Sequence, residues 1–196
     1  MKKTIFLVLT LCILHNLPAQ WYFDGGIGVG GATTTIDGKD VTTGINVSSE
    51  SAVELNLKIG YDISGISELY LTGEISGVGH RLSGIRLSGL HTDYYIQYNS
   101  YVLGAGLIWY PLSTIQISGA IGYSDTNNNT DIPFVYIVDG NGYSLNFSGA
   151  YDLSKSLHGL LLGLKYHYSS NDLENSRGNM ETSYFGIFAR YRFRKR

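Results

Sequence analysis

Apolar residues recur at every second position along most of this chain, and the clearest run lies between Val53 and Ile63. There Val53, Leu55, Leu57, Ile59, Tyr61 and Ile63 alternate with Glu54, Asn56, Lys58, Gly60 and Asp62, the period of a strand with two unlike faces. The same alternation predicts seven further strands. Trp21–Gly31 puts Trp21, Phe23, Ile27 and Val29 on one face, and Leu69–Val78 sets Leu71 and Ile75 against Thr72, Glu74 and Ser76. In Tyr94–Tyr110 the better apolar face is Tyr101, Leu103, Ala105, Leu107 and Trp109, because the other carries Ser100, Gly104 and Gly106. Ile115, Ile117, Ile121 and Tyr123 oppose Gln116, Ser118, Ala120 and Gly122, and the next strand sets Tyr143, Leu145, Phe147, Tyr151 and Leu153 against Ser144, Asn146, Ser148 and Asp152. The last two strands form a hairpin from Leu157 to Phe193. Leu160, Leu162, Leu164, Tyr166 and Tyr168 share a face of its first arm, and Phe185, Ile187, Ala189, Tyr191 and Phe193 a face of its second.

The connections alternate too. Those near Gly65, Pro111 and Lys155 are short, whereas Thr33–Ser51, His80–Asp93, Ser124–Gly142 and Ser169–Thr182 are long and polar. Apolar stripes that end in Tyr, Trp or Phe, joined by tight turns at one end and long loops at the other, are the pattern of a bacterial outer-membrane barrel. No segment after residue 20 has the ~18 consecutive apolar residues of a membrane helix. A closed sheet is the other way to satisfy every backbone group in hydrocarbon. The expectation is an all-β protein: an eight-stranded antiparallel up-and-down transmembrane β-barrel, with termini and short turns in the periplasm and long loops outside.

Residues 1–20 read as a signal peptide: Lys2 and Lys3, then apolar Ile5–Leu14, then Leu17-Pro18-Ala19 at the cleavage site. The barrel domain is then 21–196. The single cysteine, Cys12, lies inside the signal, so the mature chain has no thiol for a disulfide or a metal. A net charge of −2 gives no basic footprint for nucleic acid. No spacing suits a metal site, and no cofactor is expected. Gly25–Gly31 has glycine spacing like a dinucleotide fingerprint, but no helix follows it.

With the signal, the eight alternating strands and the aromatic-ended last strand, the chain resembles the small OmpA/OmpX-type barrels over essentially all of its mature length. That resemblance implies an outer-membrane location among lipid and lipopolysaccharide. It also implies assembly by the barrel-assembly machinery, which would recognise a closing strand carrying Phe185, Tyr191 and Phe193; here Arg194-Lys195-Arg196 follows the final aromatic. The implied role is structural, adhesive or surface-interacting, with at most narrow permeation and an external ligand that the pattern does not name. A carrier of small hydrophobic molecules, as in OmpW-like barrels, is a further reading that rests on the apolar Phe134–Val138.

The polar faces put Asp24, Glu54, Lys58, Glu74, Lys165, Arg190 and Arg192 inside the barrel. An eight-stranded barrel is just wide enough for side chains to fill, so these charges are expected to pair, Lys58 with Glu74 and Asp24 with Arg190 or Arg192, as a plug. Inward Gly26, Gly28, Gly30, Gly104, Gly106 and Gly163 would leave room for water.

Two other groups bear on chemistry. His167 and Ser169, with Glu181 after the next loop, are the parts of a hydrolytic triad. The last hairpin resembles that of the lipid A deacylases, eight-stranded outer-membrane enzymes. The resemblance implies Ser169 as nucleophile on a lipid A ester, His167 as base and Glu181 as its orienter. The family's Asn after the serine is Ser170 here, and strand parity turns His167 and Ser169 inward unless a β-bulge reverses it. His80, Arg81, Arg86 and His91 cluster by sequence in the second loop, where phosphates of lipopolysaccharide or a host polyanion would meet them.

Overall fold

The computed structural model describes residues 21–63, 68–86, 93–132, 138–153, 159–174 and 178–194. The expected signal, the turns at Gly65 and Lys155, His91 and most of Phe134–Val138 lie outside them. The strands are β1 (Trp21–Ile36), β2 (Lys39–Asp40), β3 (Ser49–Asp62), β4 (Leu69–Ile85), β5 (Tyr94–Leu112), β6 (Ile115–Thr130), β7 (Asp139–Asp152), β8 (Leu160–Leu173) and β9 (Asn179–Arg194). From β3 onward each pairs antiparallel with its neighbour in sequence. β1 pairs with β3 on one edge and with β9 on the other, closing eight strands into a barrel; the two-residue β2 only folds back on the end of β1. The closing ladder runs from Tyr22↔Arg194 to Ile36↔Met180. Near the end of β5 the register shifts between Trp109 and Leu112, which accommodates Pro111, a residue with no N–H to give the ladder.

Parity along the strands separates two environments. Ile121, Leu103 and Leu55 are 68%, 65% and 62% exposed on the outer wall, among a continuous set of Leu, Ile and Val. At the end where β1 begins and β9 stops this band is bordered by Trp21, Tyr61, Trp109, Tyr151 and Phe193, with the Trp21 and Tyr61 rings 5.0 Å apart. At the other border stand Tyr101, Tyr123, Tyr143, Tyr168 and Phe185. An apolar belt between two aromatic girdles is what hydrocarbon and its interfaces select. For β5 the lipid-type face is that of Tyr101 and Leu103.

The strands run well past the belt. β6 has 16 residues, which at the usual rise and tilt span ~40 Å against a belt of ~25 Å. Segments expected as polar loops are therefore largely strand: Ser124–Thr130 continues β6, His80–Ile85 continues β4, and Thr33–Ile36 continues β1. Above the belt the outward neighbour is no longer lipid. Asp125, Asn127 and Asn129 then replace apolar residues while Ser124, Thr126 and Asn128 remain inward, and the hydrogen-bonded ladder continues without the apolar/polar alternation. Asp40 in this region accepts from the Thr42 hydroxyl (2.6 Å) and N–H (2.8 Å), and these bonds hold its carboxyl below the usual carboxylate range.

The extended ends enclose a small core of their own. Leu82, Ile85, Ile96, Tyr98, Leu173 and Met180 are buried together at the mouth, with Ile36, Val41, Ile45, Val47, Ile132 and Val138 packed against them. Val138, from the segment read as a ligand-carrying apolar patch, is part of this cap. The inward glycines are likewise occupied by neighbours. A side chain at Gly60 would run into the Tyr22 ring, one at Gly28 or Gly186 into the Tyr184 hydroxyl, and one at Gly163 into Phe188. The space expected for water at Gly28 and Gly163 is taken by aromatic rings.

Candidate functional site

The lumen is the obvious place to look for chemistry, and it is layered. Nearest the start of β1, Arg192 grips Asp24 through two hydrogen bonds, Nε to Oδ1 at 2.7 Å and Nη2 to Oδ2 at 2.8 Å. Its guanidinium lies 4.1 Å from the Tyr22 ring centroid and also donates to the Tyr110 hydroxyl. Tyr70 packs between Tyr22 and Tyr110, with centroids at 5.5 and 5.9 Å, and Tyr110 in turn donates to Asp152. This aromatic and ionic layer floors the barrel.

Above it Lys58 meets Glu74 at 3.1 Å, and Lys165 bridges Glu74 (2.8 Å) and Glu54. Asn56 donates to Glu74 at 2.5 Å, and Lys58 reaches Ser118, which is bonded to Ser148. Five strands are tied together by these contacts. Arg190 is also in the lumen and 1% exposed, but among the described residues its Nε and Nη1 have no hydrogen-bond partner; its guanidinium stacks 4.3 Å from the Phe188 centroid. Arg192, not Arg190, takes Asp24.

The next layer contains the serine and histidine of the sequence triad. Ser169 lies in the lumen, where Ser100 donates to it at 3.0 Å. His167 Nδ1 faces Asn146 Oδ1 at 2.8 Å, so Nδ1 carries the proton, and Nε2 faces the Ser100 hydroxyl at 3.4 Å. Glu181 is on the outer face, accepting from the Tyr168 hydroxyl at 3.0 Å. β8 pairs with β9 in unbroken register here, Ser169↔Thr182 and Ser170↔Glu181. No bulge turns the serine outward, and the wall of the barrel separates it from the carboxylate. The structure does not bring Ser169, His167 and Glu181 together. His167 takes its orienting bond from Asn146, a residue the sequence motif does not include.

The second-loop cluster also disperses. His80 points inward, bonded to Thr34 (2.9 Å) and Glu50 (2.8 Å). Arg81 is on the outer face over the Tyr95 ring at 4.3 Å, and Arg86 pairs with Asp93 in the open at 2.9 Å. Consecutive strand residues cannot share a face, which is why His80 and Arg81 part company.

No protein-family model matches the sequence, and no curated protein matches it. Solved structures do. Ail, the attachment invasion locus protein of Yersinia pestis, superposes with a TM-score of 0.58 at 15% identity, over 89% of this chain and 99% of that one. AlkL, solved in lipid bilayers, gives 0.55 at 14% identity over 92% and 96%. OprG of Pseudomonas aeruginosa gives 0.50 at 14% over 90% and 97%. The fold is that of the small outer-membrane barrels.

In such a barrel the surface beyond the belt is the other candidate site. Among the described residues past the upper girdle are ten acids (Asp37, Asp40, Glu50, Asp93, Asp125, Asp131, Asp139, Asp172, Glu174 and Glu181) and three Lys or Arg (Lys39, Arg81 and Arg86). An open cleft of about 410 Å³ runs along β6 and β7, lined by Tyr123, Asp125, Asn127, Asp139, Asn141 and Glu174. Sequence reasoning, drawn to the basic residues of the second loop, missed this face. Its signal was the spacing of acids at outward parity beyond Tyr123.

Proposed function

We propose that this chain is exported through residues 1–20 and sits in the outer membrane as a plugged barrel, with its termini periplasmic and its capped mouth outside. Its role is played by the outer rim, and transport through the lumen is not part of it. The observation that carries this reading is the contrast between a lumen filled by ion pairs, floored by tyrosines and capped by aliphatic residues, and a rim whose described acids outnumber its described Lys and Arg about threefold. A partner for that rim is a basic protein or peptide segment, drawn in by the acidic field and seated along the β6–β7 cleft. Ail's structure holds a heparin analogue, sucrose octasulfate; a rim of this sign repels such a ligand. Lipid and lipopolysaccharide surround the belt, and the β9 face with Phe185, Tyr191 and Phe193 is what the barrel-assembly machinery would read.

The test uses detergent-refolded protein. Polylysine should bind with an affinity that falls steeply as salt rises, and heparin should not bind. The same preparation should be silent in planar-bilayer recordings. Heparin binding in preference to polylysine, or steady single-channel conductance, would overturn the reading.

A further inference from the structure

Among the described residues, seven Asp, Glu, Lys and Arg side chains are buried in the lumen, and they do not balance. Asp24, Glu54 and Glu74 are matched by Arg192, Lys165 and Lys58, each carboxylate in contact with at least one of these cations. Arg190 is left over. It has no carboxylate within ion-pair distance among the described residues, and two of its guanidinium nitrogens are without partners. An isolated buried cation is costly, and one that cannot lose its proton has no escape through neutralisation.

The surroundings of Arg190 suit a guest. Across the ladder it faces Gly26 on β1 and Leu161 on β8, neither of which offers a polar side chain. Beyond Gly26 the same row continues to Asn56 on β3 and Ser76 on β4, so no carboxylate lies along it to meet Arg190. Among the described residues the hydroxyls of Ser76 and Tyr184 are buried without partners, which adds two unused donors to the lumen.

We infer that the barrel holds one small monovalent anion of the chloride class against Arg190, enclosed when the barrel closes. One negative charge brings the seven side chains to neutrality. A divalent oxyanion would overshoot by one, and an interior filled by side chains has space only for something near the size of a water molecule.

The test is refolding and melting in detergent, read as the temperature at which the compact gel species is lost. Wild-type protein in sodium chloride or bromide should melt several degrees above protein in sodium gluconate at equal ionic strength, because a ligand bound only to the folded state stabilises it. Arg190→Met should abolish the halide dependence, whereas Arg190→Lys should keep it. Equal melting of the wild type in chloride and gluconate, or halide dependence surviving in Arg190→Met, would overturn the inference and leave water as the only guest. Should Arg190→Met fail to refold, the arginine Nε resonances of wild-type protein decide. One of them should differ between samples refolded in chloride and in gluconate, and identical spectra would overturn the inference.

Discussion

Ser169 and Glu181 lie on opposite sides of the barrel wall, although their strands pair residue for residue around them. The serine is held by Ser100 inside, and the glutamate by Tyr168 outside. Two residues one rung apart on a ladder cannot share a face unless the register slips, and here it does not.

Ser169→Ala should therefore leave lipid A unaltered. Mass spectrometry of lipid A from cells expressing wild type and variant is expected to give the same acyl pattern. An acyl chain missing only with the wild type would show chemistry that this geometry does not perform. The expected effect is on stability alone: losing one buried hydrogen bond costs ~0.5–1.5 kcal/mol.

What the residue pattern revealed, and what it hid, divides at the upper girdle. From Val53 to Tyr61 each side chain has either lipid-type or interior surroundings, so polarity reports orientation. The inward row Asp24, Lys58 and Glu74 was legible for that reason. Past Tyr123 both sides of the sheet are polar, and Asp125–Thr130 looks like loop although its backbone pairs with Ile96–Tyr101. His80 was placed with Arg81 and Arg86 on the same ground. The glycines misled differently: parity put Gly28 inside, but only the tertiary fold brings Tyr184 over it.

The Asp24–Arg192 pair should behave as a unit. Breaking a buried ion pair from one side costs ~3–5 kcal/mol because the surviving charge has no counterpart. Asp24→Ala and Arg192→Met should each lower the urea midpoint by that order. The double variant should cost clearly less than the sum of the singles. Additive losses would mean that the two residues do not depend on each other.

Gly60 is predicted to tolerate no side chain while Tyr22 is present. Overpacking of this kind costs ~1–3 kcal/mol, so Gly60→Ala should lower the melting temperature of the gel-shift transition. In a Tyr22→Ala background the same substitution should cost little. An equal penalty in both backgrounds would place the clash elsewhere.

The belt can be checked by charge. Ile121→Arg, at the most exposed apolar position of the outer wall, should cost ~2–4 kcal/mol in lipid vesicles, as cations do near the midplane of such barrels. Asn129→Arg, on the same strand and face but beyond Tyr123, should cost nearly nothing. Equal tolerance of both would place the hydrocarbon boundary elsewhere.

The ladder that closes β1 on β9 has a consequence for biogenesis. It joins Tyr22 to Arg194 and Ile36 to Met180, so the most distant segments of the described chain are obligate neighbours. Until β9 is translated, β1 has an unpaired edge lined with backbone donors and acceptors, and the growing sheet ends in a second one. Such edges are templates for aggregation, and pairings this remote form slowly. The unclosed polypeptide is therefore exposed to pairing with other chains, and its stability arrives all at once, when the two ends meet.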